Sequence, residues 1–304
     1  MARGWQVLDV TSSPVSIRHR RGELQVCVDG EIVGRAMLAD LAVVLIGARS
    51  SVSGGALIAA TEHDVAILMC DWRGVPVGGA YAWSNTTRVG ARNRAQAALS
   101  APRRKNAWGR VVRAKILGQA HTLDAIGRSG GNELRDIANS VRSGDPENRE
   151  GLAARIYWQR LFGHEEFSRI PGSAEGRNAL LNYAYTILRG HGIRAVLAAG
   201  LSPTLGVFHR GRSNPFSLVD DMIEPFRPAI DYAVAQIDVE APGMDAPATK
   251  KHLVNASRMG FGCGRILTTE MDSLAQRFGR YVEGEVAKLD VPVWDGPEEV
   301  IDDE

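Results

Sequence analysis

"DVAILMCDWRGVPVGGAYAWSNTTRVGARNRAQAALS", residues 64 to 100, holds the change of texture that decides the fold. Its opening, "DVAILMCD", is a short continuous apolar run of the kind found in buried strands. From about Thr86 onward alanine, arginine and glutamine take over, and apolar residues begin to recur at helical spacing. The spacing therefore predicts a boundary near residue 80, with strands before it and helices after it.

Working back from that point, "LAVVLIG" at 41–47 is a second buried-strand run, and "GALIAATEH" between the two predicts a small helix. Further upstream, "WQVLDV" precedes "SIRHRRGELQVCVDGEIVGRAML", in which Arg21-Gly22 and Asp29-Gly30 mark tight turns between β-rich segments. Working forward, helical periodicity continues nearly to Leu289. It is interrupted by "SGGN" at 129–132, "SGDPEN" at 143–148, "IPGSAEG" at 170–176 and "EAPGMDAP" at 240–247. About eight helices and no internal repeat are expected. The fold class is α+β: a sandwich-like β-sheet domain over 1–80 and a larger all-helical domain over 81–289. An acidic tail over 290–304, "VPVWDGPEEVIDDE" at its core, is expected to be flexible.

The 304 residues carry a formal net charge of only +1, but the charge is unevenly placed. From Trp72 to Leu123 there is no Asp or Glu, while the same stretch holds Arg73, Arg88, Arg92, Arg94, Arg103, Arg104, Lys105, Arg110, Arg113 and Lys115. A basic body of this kind suits a polyanion, although a solvated helix surface is the plainer alternative. Cys27, Cys70 and Cys263 stand alone, which excludes a zinc ribbon or a disulfide framework and fits reduced thiols. The N-terminus "MARGWQVLDV" lacks the apolar core of a signal peptide, and "LADLAVVLIGA" is too short to span a bilayer. A cytoplasmic protein without a membrane partner is expected.

Three segments hold candidate chemistry. In "DPENREGLAARIYWQRLF", Asp145 reads as an N-cap and Pro146 as the first helical residue. On a wheel of about 100° per residue, Glu150 falls among Ala153, Ala154, Tyr157 and Leu161. A carboxylate on that apolar face needs a partner, whether an ion pair, the helix dipole or a ligand. In "FHRGRSNPFSLVDDMIEPFR", at 208–227, Ser217 and Asp220 form a capping-box-like start to a helix near Leu218. On that helix Asp220, Asp221 and Glu224 share a face and would repel without a cation, and Pro225 kinks or restarts the helix. His209 precedes them by one short polar loop. A histidine and two carboxylates from separate segments form a common ligand set for Mn²⁺ or Mg²⁺. The third segment, "GRNALLNYAYTILRG", puts Asn178, Asn182, Tyr185 and Arg189 in one polar stripe. Such a stripe could orient ligands or a phosphate, or could simply bond a helix interface. "GFGCG" at 260–264 reads as a turn before the last helix, and nothing supports a site at His164 in "GHEEF".

In this order, "ENREGLAARIYWQRLFG", "NALLNYAYTILRG" and "GLSPTLGVFHRGRSNPFSLVDDMIEPFRP" resemble three motifs of the CRISPR-associated adaptation integrase, in the version found in type II systems. The resemblance covers most of residues 5–288, and its specificity rests on about 145–231. It implies a metal-dependent DNA integrase and endonuclease that inserts short duplex DNA, the spacers, into a CRISPR array by 3′-hydroxyl attack on phosphodiesters at a repeat boundary. The family's metal set, carried over, is Glu150, His209 and Glu224, acting with Mg²⁺ or Mn²⁺. Other branches end the last motif in Asp, and Asp221 lies within one turn; the "DDMIEPFR" ending favours Glu224. Asp220, Asp221, Asn178, Asn182 and Tyr185 would then support the ligands. Arg88, Arg92, Arg94, Arg103, Arg104, Lys105, Arg110, Arg113 and Lys115 would supply the surface that tracks the DNA backbone. The resemblance also implies a homodimer formed through the sheet domain, with a small ferredoxin-fold subunit bridging two dimers. A free-standing metal-dependent nuclease that never joins ends, and a non-catalytic DNA-binding scaffold with buried salt bridges, remain alternatives.

Overall fold

The computed structural model describes residues 6–297, apart from 73, 75, 84–85, 164–166, 238–245 and 262–263. The strand-rich front and helical body fall where the change of texture puts them. Strands β1 (Gln6–Val10), β2 (Ser16–Arg20), β3 (Glu23–Val28), β4 (Glu31–Met37), β5 (Leu41–Gly47), β6 (Ser51–Val52), β7 (Ala66–Cys70) and β8 (Pro76–Ala80) form two four-stranded sheets. One has the order β1-β5-β7-β8 and the other β4-β3-β2-β6. Both turns read from the sequence are present. Arg21-Gly22 and Asp29-Gly30 have positive φ at both positions, which lets tight turns join antiparallel β2–β3 and β3–β4 with a matching twist.

In the first sheet β5 lies between β1 and β7, parallel to both, and helix α1 (Gly54–Glu62) makes the crossover that parallel β5 and β7 need. Every residue of β5 is buried because both faces are covered. Val44 and Ile46 pack with Ile17 and Leu24 of the second sheet and with Ala56 and Ala60 of α1. Val43 and Leu45, alternating with them, join the core of the helical part. The boundary near residue 80 is thus a change of secondary structure across one continuous hydrophobic contact. Gly190 marks how close that contact is, since a Cβ there would stand 2.9 Å from both methyl carbons of Val43.

The helical part comprises α2 (Val89–Ala97), α3 (Ala101–Ala125), α4 (Gly131–Ser140), α5 (Arg149–Leu161), α6 (Gly176–Ala198), α7 (Ser217–Ile223), α8 (Arg227–Ala235), α9 (Pro247–Asn255) and α10 (Leu267–Val282). Two long buried helices, α3 and α6, carry the rest. A 3₁₀ turn, Glu224–Phe226, separates α7 from α8, so Pro225 restarts the helix as expected. α3 passes close to α8: a Cβ at Gly118 would come within 3.0 Å of the Pro228 ring. The "GFGCG" turn is bracketed by a bridge between Gly260 and Ile266 ahead of α10; Gly262 and Cys263 lie outside the described residues, as does His164. Cys27 and Cys70 are buried free thiols. Among the described residues no helix is long and apolar enough to cross a membrane.

Two local readings need correction. α5 does not start at Pro146 under an Asp145 cap. Asn148, in a left-handed conformation, is the N-cap, and its side chain accepts from the Gly151 amide. Asp145 instead reaches forward to accept from the amides of Arg149 and Glu150 at 2.9 and 3.0 Å. The segment after Leu289 is also no free tail over its described part. Trp294 is fully buried against Tyr232, since the indole buries a large apolar area while the neighbouring Asp295 stays exposed to water. Residues 298–304 lie outside the described residues.

Candidate active site

A cleft of about 500 Å³ opens between α3, α6 and the α7–α8 segment. Lys115, Tyr185, Arg189, His209, Asp220 and Glu224 line it, together with Arg227 and Asp231. Three separate elements bring the charges together. The first turn of α5 presents Glu150, the 3₁₀ turn presents Glu224, and the middle of α3 presents Lys115 between them. Lys115 Nζ lies 2.6 Å from Glu150 Oε1 and 2.5 Å from Glu224 Oε2. Both are short, charge-assisted contacts, so one ammonium serves an oxygen of each carboxylate. The other oxygen of Glu224 accepts from Arg227 Nε at 2.8 Å. Burial alone would raise the Glu224 carboxyl, but Arg227 and Lys115 outweigh it and hold the pKa down at about 2. Burial opposes the Lys115 ammonium, yet Glu224 and Glu150 outweigh that as well and raise its pKa.

The acidic pair on α7 divides its work. Asp221 is completely buried and accepts from the backbone amides of Val207 (2.5 Å), Phe208 (3.0 Å) and His209 (3.2 Å). It also binds His209 Nδ1 at 2.7 Å. A carboxylate only accepts, so Nδ1 is the protonated nitrogen and Nε2 is the one available to an outside group. The Asp221 hydrogen bond, against partial burial, raises the His209 pKa. The edge of the imidazole also rests on Trp108, whose ring stacks on exposed Phe208. Asp220 accepts from Arg189 Nε and Nη2, at 2.8 and 2.9 Å, and from Asn214 Nδ2 at 2.7 Å. Asn214 also accepts from the Phe216 amide, so it, rather than a Ser217 capping box, fixes the entry to α7.

The polar stripe on α6 splits into two halves. Asn178 and Asn182 bond a neighbouring loop: both accept from Arg169, and they bond the backbone at Ser168, Ile170 and Ser173, with Asn182 also at the wall of the cleft. They therefore pin a loop beside the cleft. Tyr185 and Arg189 line the cleft and bond its carboxylates. Tyr185 donates to Asp231, and Tyr157 of α5 donates to the other oxygen of the same carboxylate at 3.1 Å. Burial pushes the Asp231 pKa up to about 6 despite these donors. Asp231 is not legible as a site residue in the sequence, because one acid in "AIDYAVA" carries no pattern. Only its approach to two tyrosines in space reveals it.

The expected basic surface is only partly a surface. Arg92 is buried, bonded to the Ala199 carbonyl and Gln276 and paired with Glu283. Arg88 pairs with Glu283, Arg103 bonds the carbonyls of Tyr281 and Val286, and Arg110 bonds that of Leu289. These four tie α2 and α3 to α10 and the segment after it. Arg104 turns to the Leu99 carbonyl and Arg113 to Asn139. Lys115 belongs to the carboxylate cluster. Arg94, Lys105 and Arg113 are exposed, as are Arg210 and Arg212 in the loop just after His209, outside the basic stretch marked by the sequence. Arg73 lies outside the described residues.

Among the described residues, no group of three His, Cys, Asp or Glu side chains is arranged to hold a metal ion as it stands. At Glu150 and Glu224 an ammonium bridges the two carboxylates instead. That geometry is itself a test of fit. Two carboxylates from separate elements that converge on one cation are hard oxygen donors of the kind that hold a divalent ion.

Comparison with known proteins agrees with the motifs. A model of the family described as "CRISPR associated protein Cas1" matches residues 8–238. The CRISPR-associated endonuclease Cas1 of Neisseria meningitidis is 39% identical over 222 residues, which is 71% of this chain and 72% of the relative. Among solved structures, a casposase bound to integration product superposes with a TM-score of 0.77 at 19% identity, covering 94% of this chain and 93% of that one. A chain of a Cas6-RT-Cas1–Cas2 complex superposes at 0.75 and 19% identity, covering 96% of this chain and 36% of that longer one. These two likenesses speak for the fold, while the sequence matches decide the family. The chain belongs to the Cas1 family of CRISPR-associated proteins.

Proposed function

We propose that this chain is a metal-dependent DNA integrase and endonuclease of CRISPR adaptation. It joins the 3′-hydroxyl of a short DNA duplex to a phosphodiester at the boundary of a CRISPR repeat. The observation that carries this reading is the convergence of Glu150 and Glu224 on a single cation, beside a histidine held in one orientation by a buried carboxylate. The ligands of a Mg²⁺ or Mn²⁺ ion would be Glu150, Glu224 and His209 through Nε2. Asp221 is an unsuitable ligand because its two oxygens already serve three amides and the imidazole. When bound, such an ion supplies Lewis acidity for the phosphoryl group and for the attacking and leaving oxygens.

The protein's own groups do the rest. Asp221 keeps the proton on His209 Nδ1, so Nε2 stays a donor of electrons rather than of a proton. Arg227 holds Glu224 ionised, and Arg189 anchors Asp220 so that it does not add a third loose negative charge beside a phosphate. Exposed Arg94, Lys105, Arg113, Arg210 and Arg212 present cations to a DNA backbone without reading sequence. No covalent intermediate on the protein is required, since one phosphodiester is exchanged for another. Water in place of the hydroxyl gives cleavage.

Apolar side chains on the N-terminal sheet support the homodimer. Ile32, Val33 and Met37 are exposed on β4, an edge strand, where unpaired backbone and apolar side chains together favour pairing with a second copy. The structural neighbour described as a Cas6-RT-Cas1–Cas2 complex supports a Cas2 partner for this chain, which in this reading is the small ferredoxin-fold subunit between two dimers.

One observation favours a different reading. Lys115, Arg227 and Arg189 already neutralise Glu150, Glu224 and Asp220, as in a non-catalytic scaffold stabilised by buried pairs. The two readings separate on Glu150→Gln. An integrase loses Mn²⁺-dependent cleavage and joining of DNA while keeping its cooperative unfolding. A scaffold shows no metal-dependent cleavage in the wild type either, and its variant differs only in stability.

A further inference from the structure

The carboxylates around the cleft can be assigned partners one by one. Asp220 has Arg189 and Asn214, Asp221 has three amides and His209, and Asp231 has Tyr157 and Tyr185. Glu224 Oε1 has Arg227. Glu150 Oε1 and Glu224 Oε2 have Lys115. The ammonium therefore serves the two oxygens that the proposed function gives to the metal ion, and a second cation cannot share that position with it. The backbone that carries Lys115 does not yield, because Ala114 and Ile116 are buried on either side in the middle of α3. The side chain does: it is a four-carbon stem ending in a rotatable head, and it lines the open cleft.

We propose that Lys115 is a built-in competitor of the metal ion. Its ammonium holds Glu150 and Glu224 in register in the metal-free protein, and it must swing into the cleft before a divalent ion can enter. This rests on the metal reading above and goes beyond it by assigning a role to a residue that is not a ligand. Without Lys115 the two carboxylates would repel one another, and a divalent ion would meet an open site with undiminished negative charge. With Lys115 present, part of the binding energy is spent on breaking two short ion contacts.

The test is calorimetric titration of Mn²⁺ into the DNA-free protein, comparing wild type, Lys115→Gln and Lys115→Arg. Lys115→Gln is expected to bind at least about tenfold tighter than wild type, from the removal of a close competing charge. Lys115→Arg, which keeps the charge, is expected to stay near wild type. Melting curves give a second reading: in EDTA the Gln variant should melt below wild type, and saturating Mn²⁺ should raise its Tm by more. If Lys115→Gln folds poorly in the absence of metal, Lys115→Met preserves the packing of the stem and takes its place. Equal Mn²⁺ affinity in wild type and the uncharged variant overturns the competition and leaves the metal reading standing. A gain of the same size in Lys115→Arg also overturns it, since charge would not be the cause. Absence of Mn²⁺ binding in every variant overturns the metal reading itself.

Discussion

Asp221→Asn is a nearly isosteric change at the most heavily bonded carboxylate in the cleft, and its consequences can be worked through atom by atom. The native side chain accepts four hydrogen bonds, three from consecutive amides and one from His209 Nδ1. Asparagine keeps one oxygen, which can still serve the amides of Val207 and Phe208. Its NH₂ group then faces the His209 amide and ring nitrogen. The amide is left without an acceptor, and the imidazole can respond only by moving its proton to Nε2. One orphaned buried donor costs about 1–3 kcal/mol, and losing the charge on the acceptor weakens the bonds that remain. The expected destabilisation is about 2–4 kcal/mol, read from urea unfolding at pH 7. In the wild type the raised pKa of His209 contributes stability that is fully present below its unfolded value of 6.5 and is lost as pH rises through the folded value. In Asp221→Asn that pH dependence should flatten, and the His209 imidazole NMR resonance should titrate at lower pH. DNA chemistry should fall as well, because Nε2 would carry the proton. Stability within about 0.5 kcal/mol of wild type, together with an unchanged His209 titration, would refute the role given to Asp221.

Three further outcomes follow from the packing and the charges. Asp231 has a folded pKa of about 6 against 3.8 for a free carboxyl, so its ionised form is penalised by folding. Stability should therefore fall by about 3 kcal/mol as pH rises across that interval, and Asp231→Asn should remove the fall in pH-dependent urea midpoints. Trp294→Ala should cost about 3–5 kcal/mol in the same unfolding assay, since it empties a fully buried indole site; a neutral result would show that the segment is not anchored. Reversing the exposed cations with Arg94→Glu and Lys105→Glu should weaken duplex binding and reduce the slope of log K against log salt by about one for each cation that neutralises a phosphate. Reversing buried Arg92 should instead unfold the protein before it alters that slope.

What could be read in the sequence and what could not differ for physical reasons. The two β-turns, the fully apolar β5 and the helix restart at Pro225 are local: residue type alone forces the backbone. The clustering of Asp220, Asp221 and Glu224 was legible as a group that needs cations, since their spacing puts them on one face. Their individual partners were not, because Arg189, Lys115 and the 207–209 amides come from elsewhere in the chain. A count of charges along the sequence is equally blind to direction. It groups Arg92, Arg103 and Lys115 with Arg94 and Lys105 as surface cations, whereas the long side chains of the first three turn inward to carbonyls and carboxylates. The α6 stripe shows the same limit: its period was legible, but not that Asn178 and Asn182 would pin a loop while Tyr185 and Arg189 bonded the carboxylates of the cleft. Trp294 was hidden by its acidic neighbours, since composition averages a tail that one buried ring anchors.

The most direct measurement is strand transfer of a labelled short duplex into a plasmid carrying the cognate repeat. It is run with Mn²⁺ or Mg²⁺ and the partner subunit, and compares wild type with His209→Ala. Joined product from the wild type, lost in His209→Ala at an unchanged melting temperature, is the predicted result. Cleavage without joining would contradict the integrase reading in favour of a nuclease. Equal joining by both proteins would contradict the placement of His209 at the reacting centre.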